Sequence, residues 1–103
     1  MLTQEQVEEI KKRLLKTYSP RSIYMLEQQP SDERDVAILV VVDQASLQAR
    51  YELMAEGHKA LIGMKIAKLV LVYTQEEFDT YAADISTLSY DIKNHGKCIY
   101  ARA

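Results

Sequence analysis

The hydrophobic pattern is densest from Val36 to Val42, where seven residues carry no polar side chain and are bracketed by Asp35 and Asp43. A strand with one wet face alternates, so a continuous run predicts a strand over Asp35–Asp43 that is buried on both faces and central in its sheet. Upstream, Val7, Ile10, Leu14 and Leu15 recur at helical spacing. Thr3 and Gln6 form a capping box at the head of that helix, and Ser19-Pro20 stops it after Tyr18. Arg21–Leu26 is short, β-branched and aromatic, which predicts a strand, and EQQPSDER after it predicts a loop.

Beyond Asp43 the period returns to that of a helix. Leu47, Tyr51, Leu53, Met54, Leu61 and Ile62 mark a stripe from Ser46 to about Ile62, weakened at Gly57 and ended at Gly63. Ile66–Tyr73 is a second β-type run that leads straight into Thr74-Gln-Glu-Glu77, a capping box opening another helix. Asp84–His95 predicts a helix with Ile85, Leu88 and Ile92 inward, Ser89 and Asp91 outward, and a left-handed stop at Asn94-His95-Gly96. Lys97–Ala101 predicts a last strand. The order α-β-β-α-β-α-α-β implies an α/β (α+β) fold, a mixed sheet of about four strands with helices packed on it, in a single domain over residues 1–103.

Composition narrows the function classes. Thirteen Lys/Arg against fifteen Asp/Glu give a formal charge of −2, which supplies no basic field for nucleic acid. The longest apolar run is far short of the roughly 20 residues that span a bilayer as a helix. A single cysteine, Cys98, and a polar N-terminus without an apolar signal core fit a reducing cytoplasm.

Three stretches, RLLKTYSPRSIYML, DVAILVVVD and LVLVYTQEEFDTY with IKNHGKCIYAR, resemble the minimal nucleotidyltransferases of the polymerase-beta superfamily. The family pattern runs helix, strand ending in Gly-Ser, then a buried strand beginning Ser-Asp-x-Asp, with a third carboxylate on the next strand before Thr-Pro-Glu-Glu-Phe. Acids at i and i+2 project from one face of a strand and so share Mg²⁺ ions bound to a nucleoside triphosphate. Aligned on Leu39–Asp43, that pattern falls on Arg34-Asp35-Val36-Ala37, leaving Asp35 as a relic metal ligand and alanine as its partner. An alternative register on Ser31-Asp32-Glu33-Arg34 leaves the strand's start. Gly-Ser falls on Glu27-Gln28, and the third acid at or next to Leu69, within a carboxylate-free Lys68–Leu71.

The resemblance therefore implies a degenerate nucleotidyltransferase fold with no catalytic or nucleotide-binding set, acting as a protein-interaction module. Its partner would be a small helical protein, as in the toxin–antitoxin pairs of this family, or a second copy. The competing expectation is a residual nucleotidyltransferase or nucleotide binder, in which Asp35 with Asp32, Glu27 or Glu33 rebuilds a Mg²⁺ site. His58 and His95 lack ligand-spaced partners and read as structural or exposed. Cys98 reads as core packing. The seven tyrosines read as amphipathic packing, or as a partner surface where several share a face.

Overall fold

A computed structural model describes residues 2–27, 36–44 and 47–102, with only the backbone at 47 and 48. Along it run α1 (Gln4–Thr17), β1 (Ser22–Glu27), β2 (Val36–Val42), α2 (Leu47–Ala60), β3 (Lys68–Thr74), α3 (Gln75–Ala82), α4 (Leu88–His95) and β4 (Lys97–Ala101). This is the mixed α/β order expected from the sequence. The strands form one sheet in the order β3-β2-β1-β4. β2 is antiparallel to β1 and parallel to β3, and β1 is antiparallel to β4. The parallel pair requires a crossover, which α2 supplies.

Both faces of β2 are covered, and all seven of its residues are buried. Val36, Ile38, Val40 and Val42 pack with Ile10 and Leu14 of α1 and with Leu61 after α2. Ala37, Leu39 and Val41 pack on the opposite face with Phe78 and Ala82 of α3 and Ile92 of α4. The period of two divides the strand between two cores, and each fully buried valine or leucine contributes about 2 kcal/mol of transfer free energy.

Local chemistry explains most element ends. The Thr3 and Thr74 side chains accept N–H bonds from Gln6 and Glu77, whose side chains accept the cap N–H in return. α2 is shorter than its stripe: it ends at Ala60, and the chain turns through Gly63 at φ 92°. Ile62 and Tyr51 from that stripe are exposed. Gly57 is required by packing rather than tolerated, because a Cβ there would lie 2.5 Å from Tyr18 Oη and 2.8 Å from Val70 Cγ1. The Tyr18 hydroxyl donates to the Leu53 carbonyl of α2. Burial pushes its phenol up to about 12, with the charge of Glu56 adding to the shift.

Several boundaries and faces differ from the sequence reading. α4 begins at Leu88 with Thr87 as its cap, because Asp84 takes the N–H and hydroxyl of Ser86 and holds residues 84–86 in a turn. Ile85 is consequently exposed. Ser89 faces inward, since the late start rotates the buried face, and it is 3 % exposed. Gly96 stops α4 in an extended conformation, φ −85°, rather than a left-handed one. Its role is close approach: a Cβ would meet the Ile92 and Met25 carbonyl oxygens at 2.6 and 2.8 Å. Cys98 lies exposed on β4 instead of packing in the core.

Candidate functional site

Strand register places the family-like positions next to one another. Glu27, Val36 and Lys68 form one row across β1, β2 and β3, and Leu26, Ala37 and Leu69 form the next. Ala37 and Leu69 stand where the resemblance assigns the second and third carboxylates. Ala37 has no exposed surface and packs with Leu39, Phe78 and Ile92. An alanine and a leucine offer Mg²⁺ no oxygen, so these two positions do not fit the ion. Asp35, with Asp32, Glu33 and Gln28, lies outside the described residues. Glu27 closes β1, and its carboxylate accepts the Leu2 N–H at 2.8 Å. Among the described residues no group of three or more His, Cys, Asp and Glu side chains is placed to hold a metal.

Next to Glu27, at the end of the sheet where β1 leaves and β4 enters, a groove of about 580 Å³ opens beneath the head of α1. Its walls include Val7, Met25, Glu27, His95 and Cys98. His95 sits in the last turn of α4, where a cation suits the helix dipole. His58 lies on α2 with Nδ1 2.8 Å from the Met54 carbonyl, a hydrogen bond that makes Nδ1 the protonated nitrogen. The two histidines are on different elements. At the opposite end of the sheet Asp43 is held by Arg102 at 3.1 Å and Arg21 at 3.6 Å, fastening the chain's last residues to β2.

The feature that sequence reading could not assemble is the cluster around β3. Arg50 of α2 pairs with Glu77 of α3, and its guanidinium carbon lies 5.7 Å from the centre of the Tyr73 ring. The Tyr73 and Tyr81 rings meet with centroids 5.0 Å apart and planes tilted by 56°. Helices on opposite faces of the sheet are thus tied together past the end of β3. Burial works to raise the Glu77 carboxyl, but the Thr74 N–H and the Arg50 charge outweigh it and hold it below the ordinary range. Burial pushes the Tyr73 phenol up, with Tyr81 adding to the shift and Arg50 opposing it. Tyr51, at 76 % exposure, and Tyr81, at 39 %, leave aromatic surface in water beside this cluster. The tyrosines therefore divide: Tyr18 packs in the core, while Tyr73 and Tyr81 share a face. The signal in the sequence was the excess of tyrosine, without its location.

No helix among the described residues is long and apolar enough to cross a membrane. No family model, curated protein or solved structure matches the chain.

Proposed function

We propose that this chain is a degenerate nucleotidyltransferase-type domain that works as a protein-interaction module and carries out no nucleotidyl transfer. The observation that carries this reading is the Leu26–Ala37–Leu69 row, with hydrocarbon at two positions where the family holds Mg²⁺ ligands and with Ala37 sealed in the core. Glu27 adds to it. A carboxylate where phosphate oxygens would sit repels them, and this one is already bonded to Leu2. The partner class implied by the resemblance is a small helical protein in a toxin–antitoxin pair, or another copy of the chain. A residual enzyme or nucleotide sensor is the competing reading, and it needs Mg²⁺ held by Asp35 with Asp32, Glu27 or Glu33.

Calorimetric titration with ATP and GTP, each with and without Mg²⁺ or Mn²⁺, separates the two. The interaction reading expects no heat and no thermal stabilisation at millimolar nucleotide. Metal-dependent binding in the micromolar range, about −8 kcal/mol, would refute it and make Asp35→Ala the next variant.

A further inference from the structure

We draw no further inference here: the strongest candidate, the aromatic surface that Tyr51 of α2 and Tyr81 of α3 leave exposed beside the Arg50–Glu77 pair, carries nothing because no feature of the structure shows what covers it.

Discussion

Restoring a carboxylate by Ala37→Asp tests the apolar row directly. In a solvent-filled metal cleft this change adds a ligand and is tolerated. Here residue 37 has no exposed surface and is surrounded by Leu39, Val41, Phe78 and Ile92. A fully buried carboxyl has its pKa raised by roughly 3 to 5 units, and each unit corresponds to about 1.4 kcal/mol. The ionised variant is therefore destabilised by about 4–7 kcal/mol, before any steric cost of the added atoms. That is a large part of the roughly 5–15 kcal/mol that stabilises a domain. The sign with pH follows from the raised folded-state pKa. The penalty relative to the parent is smallest near pH 4, where the unfolded carboxyl is also protonated, and grows as pH rises toward the raised value. Urea denaturation of parent and variant at pH 4.5 and pH 8, with and without Mg²⁺, reads both quantities. A variant as stable as the parent at pH 8, or one that Mg²⁺ stabilises, would refute the claim that this position is sealed core.

Three further perturbations probe the framework. Gly57→Ala gains about 1 kcal/mol of helix propensity but drives a methyl into Tyr18 Oη and Val70 Cγ1. The net expected loss is about 1–2 kcal/mol by thermal denaturation, and part of it should return in the Tyr18→Phe background. Glu77, held below the ordinary carboxyl range, contributes stability that is present above about pH 4 and lost as pH falls through its depressed folded value. Glu77→Gln should cost roughly 1 kcal/mol at pH 7, through the Arg50 pair and the Thr74 cap, and flatten the acid limb of the stability profile. Gly96→Ala should destabilise by more than 1 kcal/mol, about what overpacking against fixed atoms costs, because the added methyl meets two backbone carbonyls that have nowhere to move.

Element order was legible in the sequence because its determinants are local. Thr3 with Gln6 and Thr74 with Glu77 are capping boxes whose partners lie three residues apart, and both form as read. The uninterrupted Val36–Val42 run required cover on both faces, and α1 with α2 on one side and α3 with α4 on the other provide it. Where a short-range competitor intervened, the reading moved. The Asp84–Ser86 turn delays α4, exposes Ile85 and rotates Ser89 inward. Tertiary structure alone decided the rest, because it depends on contacts between distant positions. Gly57 reads as a weak point in a helix until Tyr18, 39 residues earlier in the chain, is found against it. Arg50 and Glu77 are 27 apart and meet only because α2 and α3 flank the same strand. Periodicity identifies β3 as a strand and β2 as central, but the sheet order is set by which strands pair. That order leaves Leu69 beside a buried alanine.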